Sequence, residues 1–281
     1  MLTRRNFLQT AALATAGSSI LSLPELTYAK QKIKVPGIQL YTVRNEMAKD
    51  FDGTLKAVAA VGYKEFEFFD GSFKDAKQTR TLLDGLGVTS PSAHVGLAKL
   101  DKDINKAIDT AKIMGHKLII CPFLQPNERK TLDDYKRLVA ILNNAGDACK
   151  KAGLQLGYHN HDFEFKAVEG KLPMDVILAE ADKNLVKIEL DLGWITYANA
   201  DPLQYFAKYP GRFVALHVKD MDPKTKEITV ELGRGNVDFK RILAKSKQAG
   251  VQHYFVEQDR STMSPLESIK ISMDYMKKLE F

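Results

Sequence analysis

Short, β-rich apolar runs recur along the chain at near-regular intervals. They read GIQLYTV from Gly37, KEFEFF from Lys64, TSPSAHV from Thr89, KLIICPF from Lys117, LQLGYHNH from Leu154, VKIELDLGW from Val186, RFVALHVKD from Arg212 and HYFVEQD from His253. Helical patterns lie between them. Phe51 to Val61, Ile104 to Met114, Thr131 to Ala152 and Phe239 to Ala249 are amphipathic, and Gly62, Gly115, Gly153 and Gly250 follow them. Glycine just past the last helical residue is the usual stop signal. Strand and helix alternating eight times in about 250 residues predict an α/β fold, a single-domain (β/α)8 TIM barrel. An open doubly wound sheet is the rival, and it wants a glycine-rich fingerprint after an early strand. The G-x-G here, Gly233-Arg234-Gly235, comes late and lacks the third glycine. It reads as a tight turn.

The first 29 residues stand outside this pattern. Arg4 and Arg5 form a basic start, an Ala/Leu-rich stretch runs from Ala11 to Leu23, and Thr27-Tyr28-Ala29 is a small-x-small ending. That is a secretory signal pattern, too interrupted for a membrane span. TRRNFL resembles the twin-arginine export motif. The expected organisation is an export signal over 1–29 and the barrel over 30–281. A periplasmic location and contact with the twin-arginine export machinery follow as expectations.

Charge excludes little but helps. The chain carries 41 Lys+Arg against 35 Asp+Glu, a net of +6, and the charges are interspersed. No basic stripe interleaved with aromatics is present, which argues against a nucleic-acid partner. Cys121 and Cys149 are two lone cysteines in apolar or helical surroundings, expected as buried thiols and not as a disulfide framework.

The stretch YHNHDFEF from Tyr158 crowds metal-competent groups into a strand. His159 and His161 share one face, Tyr158, Asn160 and Asp162 the other, and neither face reads as core. In a (β/α)8 barrel the active site lies at the C-terminal ends of the strands. Four consecutive strands deliver ionisable groups there: His159, His161 and Glu164; Asp191, with Glu189 two residues before it; His217, then Lys219; and Glu257, then Asp259. One such residue means little. Four at matching depth would be costly to bury unless something neutralises them. A single divalent cation would, and two imidazoles with two carboxylates suit Mn, Zn, Co or Fe better than Ca or Mg. A solvated polar mouth without metal is the plain alternative.

The whole of residues 30–281 resembles the xylose isomerase-like barrel superfamily, the sugar phosphate isomerase/epimerase family. YHNHDFEF, ELDLGW, LHVKD with the later ELGRGNVDF, and FVEQD carry the resemblance. It implies one divalent metal on four ligands from strands five to eight. Asp191, His217 and Glu257 take the last three places. The first, usually Glu, falls on His159, with Glu164 as the alternative. In the family's epimerases the first and last glutamates also move protons on opposite faces of the sugar, so His159 weakens a two-base epimerisation and makes a lyase or hydrolase more plausible.

The expected activity is metal-dependent isomerisation or epimerisation of a keto-sugar, by proton abstraction next to its carbonyl. Metal-dependent cleavage of 3-keto-glycosides, or sugar binding without turnover, are the alternatives. Glu257 is the expected base, with His161 or His94 as partner acid. Lys219, Arg234, Trp194, Glu67, Gln39 and Tyr41 are expected to bind substrate. An exported enzyme meets free sugars more readily than sugar phosphates, so the substrate is expected to be an unphosphorylated carbohydrate. Barrels of this superfamily often pair, which makes a homodimer compatible with the resemblance.

Overall fold

The computed structural model describes residues 31–73, 75–222, 224 and 229–281. The expected export signal over 1–29 lies outside the described residues. Strands β1 (Gly37–Gln39), β2 (Glu65–Phe68), β3 (Thr89–His94), β4 (Leu118–Cys121), β5 (Gln155–His159), β6 (Val186–Asp191), β7 (Phe213–Val218) and β8 (His253–Val256) are all parallel to their neighbours. They close in chain order, β8 pairing back onto β1. The expected (β/α)8 barrel is the observed fold. Each apolar run of the sequence became a strand shorter than itself. The polar tail of the run continues past the ladder, so β5 stops at His159 and β8 one residue before Glu257.

The helices form where the amphipathic stripes placed them: Phe51–Val61, Ile104–Met114, Leu132–Lys151 and Phe239–Ala249. Thr131 and Asp134 make a reciprocal capping box at the start of the third. That satisfies two of the backbone N–H groups a helix N-terminus leaves open. Gly62, Gly115 and Gly250 end the other three in the left-handed conformation. Among the described residues no helix is long and apolar enough to cross a membrane.

Both faces of each strand are buried, as parallel barrels require. Alternate residues serve two different cores. Ile119 and Cys121 of β4, with Leu156 and Tyr158 of β5, join the large cluster beneath the helices. Leu118 and Ile120 join a separate small cluster with Val214, Ala215 and Phe255. Gly157 lets β4 and β5 coexist in that interior, since a Cβ there would lie 2.5 Å from Ile120 Cδ1.

One expectation is corrected here. The outer face of YHNHDFEF is core: Tyr158 is fully buried and its hydroxyl donates to Glu164 Oε1 at 2.5 Å. Helices cover the outside of a barrel strand, so an aromatic ring with a satisfied hydroxyl fits there. Cys121 and Cys149 are free and buried, and burial pushes both thiols up to about 12.

Candidate active site

Strand register builds the site. His159 pairs with Glu189 across β5 and β6, Asp191 with His217 across β6 and β7, and Val218 with Val256 across β7 and β8. This brings His159, Asp191, His217 and Glu257 to one height at the C-terminal end of the barrel. One ligand-type atom from each lies within 4.8 Å of the other three, and all four residues are buried. Asp191 is fixed by its backbone role. Its Oδ1 accepts from the Trp194 N–H at 2.8 Å, capping the helix Leu192–Tyr197, and its own N–H donates to Asn160 Oδ1 at 3.0 Å. Asp191 Oδ2 is left buried with no hydrogen-bond partner.

Two further carboxylates lie behind the imidazoles. Glu189 Oε2 sits 3.1 Å from His159 Nδ1, 2.9 Å from His94 Nε2 and 3.1 Å from His217 Nε2. Glu67 Oε2 sits 2.7 Å from His217 Nε2. Each carboxylate accepts an N–H from the far side of a ring. A His159 that donates from Nδ1 presents the lone pair of Nε2 toward Asp191, 3.8 Å away. A His217 that donates from Nε2 turns Nδ1 toward Glu257 and Asp191, at 2.8 and 3.7 Å. Carboxylates that hold the distal N–H of metal-bound histidines fix ring and tautomer in this way. His159 is kept neutral by burial and by the cations around it, whereas His217, although burial opposes it, is pushed up by Glu189 and Glu257. Glu189→Gln is expected to weaken Mn or Zn binding about 10- to 100-fold, the range found when such partners are removed. A metal titration showing unchanged affinity would mean that Glu189 does not orient the rings.

A third cation is built in. The Lys219 ammonium, fully buried, lies 2.9 Å from Asp191 Oδ2, 2.7 Å from Glu257 Oε2 and 2.8 Å from Asp259 Oδ2. Yet Nζ, Asp191 Oδ2 and Asp259 Oδ2 all lack an aligned hydrogen bond. Burial works against the ammonium's charge, but Asp191, Asp259 and Glu257 outweigh it and keep Lys219 protonated. Burial also works against ionised Glu257, and Lys219 and His217 hold that carboxyl far below its usual range. The donor set therefore fits a compact cation. Two imidazoles and two carboxylates converge on a place that an ammonium already borders.

A cavity of about 410 Å³ opens above this cluster. Of the residues expected to act on substrate, His94, His161, Glu257 and Tyr41 line it, with Phe69, Asp70, Phe123 and Asp259. His161 rests edge-on against Phe123, and its Nδ1 is buried without a partner. Trp194 packs on His161 with ring centroids 5.3 Å apart, and Lys219 Nζ lies 5.2 Å over its ring. It backs the site and does not line the cavity. Gln39 and Glu67 are fully buried below the cavity. Gln39 donates to Glu67 Oε2 at 2.8 Å and Ser92 to Glu67 Oε1 at 2.5 Å. They support His217 from beneath and do not line the cavity.

Arg234 is not brought to the cavity. It pairs with Glu231 at 2.9 Å, half exposed. Its G-x-G neighbours donate their N–H groups to Asp220 Oδ2, which is the tight turn expected from the sequence. Glu164 is also elsewhere. It sits in the one-turn helix Phe163–Phe165, accepts from Tyr158 and from the His161 N–H, and burial pushes its carboxyl up to about 7. A carboxyl engaged by those two donors is not free to take the first ligand place, and His159 stands there in the cluster instead.

The sequence reading underweighted Glu189 and Asp259. Both follow from strand period: each lies two residues from a ligand position and so shares its face. Asn160 carried no such signal, since its partner is a backbone N–H on the next strand.

The family-level comparison agrees with the barrel fold. The chain belongs to the xylose isomerase-like TIM barrel family, whose pattern matches residues 55–279. An inosose dehydratase of Clostridium botulinum (strain Alaska E43 / Type E3) is 23% identical over 267 residues, covering 81% of this chain and 89% of that relative. A sugar phosphate isomerase/epimerase of Parabacteroides distasonis ATCC 8503 has a similar structure, with a TM-score of 0.75 and 27% identity over 91% of this chain and 96% of its own. The IOLI protein, solved with a zinc atom bound, shares the fold at a TM-score of 0.72 and 15% identity, over 87% of this chain and 97% of that one.

Proposed function

We propose that this chain is a metal-dependent lyase that eliminates a substituent from an unphosphorylated keto-sugar derivative such as a 3-keto-glycoside. The observation that carries the reading is the convergence of His159, Asp191, His217 and Glu257 at the floor of a carbohydrate-sized cavity. Two points favour elimination over the isomerisation expected first. Relatives at this level of similarity are named inosose dehydratases. And the strand-five place, where a two-base epimerase needs a proton-moving carboxylate, holds an imidazole whose Nδ1 is already engaged by Glu189.

The cavity wall sets the substrate class. None of the described residues lining it is Lys or Arg, whereas Asp70, Glu257 and Asp259 are all present. Such a wall disfavours a phosphate dianion. A divalent cation on the four ligands would polarise the substrate carbonyl and stabilise charge developing on its oxygen. His161, in the cavity wall, takes the proton from the carbon next to the carbonyl in place of Glu257, the base expected from the sequence, whose carboxylate is held by Lys219 and His217 at 2.7 and 2.8 Å. The electron pair passes into the carbonyl as an enediolate. Its return expels the group on the following carbon, which leaves with a proton. His94 lines the same cavity, tied to Glu189, and is the second proton carrier. Phe123 and Phe163 flank the His161 ring.

The basic, apolar and small-residue order of residues 1–29 supports export, by the twin-arginine route, to a periplasm where such sugars are free. The test is turnover in D₂O of a 3-keto-glucoside and its 6-phosphate by Mn- or Zn-loaded protein. The expected result is release of the aglycone from the unphosphorylated substrate. A deuterated epimer without elimination would restore the isomerase reading, and preference for the phosphate would sink the substrate class.

A further inference from the structure

A second cavity, of about 330 Å³, lies beside the first, and Phe69, Asp70 and His94 line both. Its wall is mixed: Phe73, Ala93, Ala107, Ala111 and Ile119 face it from the loop after β2, from β3 and β4, and from the helix Ile104–Met114, and Lys99, Asp103, Lys106 and Thr110 line it as well. Besides His94, one buried polar side chain lies in this wall. His116 is 2% exposed, and its Nδ1 is 2.7 Å from the Ser90 carbonyl. A carbonyl only accepts, so Nδ1 carries the proton and Nε2 carries a lone pair. That Nε2 is buried with no partner. Burial pushes the ring down to about 4, so it is a neutral acceptor at physiological pH. An orphaned acceptor is costly to leave unmade. At the mouth, Asp70 joins the two loops, with Oδ1 2.5 Å from Lys99 Nζ and Oδ2 accepting from the Gly96 N–H at 3.2 Å.

We infer that this second cavity is the subsite for an apolar, ring-like substituent of the keto-sugar that donates a hydrogen bond to His116 Nε2. The substrate class is then a keto-glycoside of an aryl aglycone that keeps a free ring hydroxyl, and this part of the inference rests on the lyase reading above. The size is adequate, since an apolar cavity of about 150 Å³ already holds a benzene ring. The position is adequate too. The aglycone is the leaving group, so it must lie next to the catalytic cavity, and the two cavities share three wall residues.

The experiment has two arms on the full chain. In the first, free phenol is titrated by ligand-observed NMR against wild type, Ala107→Phe and His116→Leu. Ala107→Phe fills the cavity without touching the buried Ser90–His116 contact, so it serves if His116→Leu folds poorly. Saturable binding to wild type, weakened about tenfold or more by either variant, is expected from loss of ring burial or of one hydrogen bond. No saturable binding, or binding that Ala107→Phe leaves alone, overturns the site. In the second arm, kcat/KM is compared for 4-hydroxyphenyl and methyl 3-keto-glucosides. Wild type should prefer the hydroxyphenyl substrate by about tenfold or more, mainly through KM, and Ala107→Phe should erase the preference while leaving the methyl substrate unchanged. Equal rates for both substrates in wild type, or equal losses in the variant, overturn the subsite. Turnover of neither, with phenol still bound as expected, upholds the cavity as a binding site and rejects the lyase reading alone.

Discussion

Asp191→Asn should abolish metal binding while leaving the barrel folded. The asparagine Oδ1 can still accept from the Trp194 N–H, so the cap of the helix Leu192–Tyr197 survives. What changes is the other atom of the side chain. Oδ2 is the buried oxygen that faces the cluster, 2.9 Å from Lys219 Nζ, and an amide nitrogen there presents donors to a cation. It also removes a negative charge next to His159 and His217. Removing a partner that merely orients a ligand costs about 10- to 100-fold in affinity, so loss of the ligand itself should exceed about 100-fold. Elemental analysis should find about one equivalent of Mn, Zn, Co or Fe in the wild type and none in the variant, and aglycone release should fall with it. Asp191→Ala would confuse the result, because losing the cap costs a further ~1 kcal/mol or so. An Asp191→Asn protein that binds a cation as tightly as wild type would show that the centre is not built on this residue.

The architecture was legible in the sequence because its signals are local. Eight apolar runs and glycine-terminated amphipathic stretches each report their own element, and strand-end placement of His159, Asp191, His217 and Glu257 follows from the barrel rule. The residues that support them were harder. Glu67 and Gln39 sit on β2 and β1 at positions that look like the mouth, but their depth depends on how far each strand is sheared past the next. That quantity belongs to the closed barrel and to no single run. Tyr158 was misread for a related reason: its polar neighbours in sequence point the other way. Lys219 was visible as a charged residue two positions beyond His217, and the natural reading of a lysine at a mouth is substrate contact. Only the three carboxylates gathered from β6 and from beyond β8 reveal that its charge is consumed inside the protein.

This makes Lys219→Met the substitution with the most distinctive outcome. In the metal-free protein the ammonium is the cation that lets buried Asp191 and Glu257 lie together beside the partly exposed Asp259. Methionine fills the space but carries no charge, and three carboxylates then face one another with only His217 between two of them. Breaking a buried ion pair by removing one partner costs about 3–5 kcal/mol, which for a domain of this size lowers Tm by roughly 10 °C. A divalent cation should reverse the sign of the comparison. It draws on the same Asp191 and Glu257 oxygens that Lys219 holds, so the two positive charges compete in the wild type. Without the ammonium the cation binds more tightly, and tighter binding to the native state alone restores stability. Melting curves with and without Mn or Zn, beside a direct titration, therefore separate two roles. A variant that is destabilised when metal-free, recovers with metal and binds it more tightly identifies Lys219 as the internal charge that holds the site open for its cation. A variant equally destabilised in both states, with weaker binding, would instead make Lys219 a permanent strut of the loaded site.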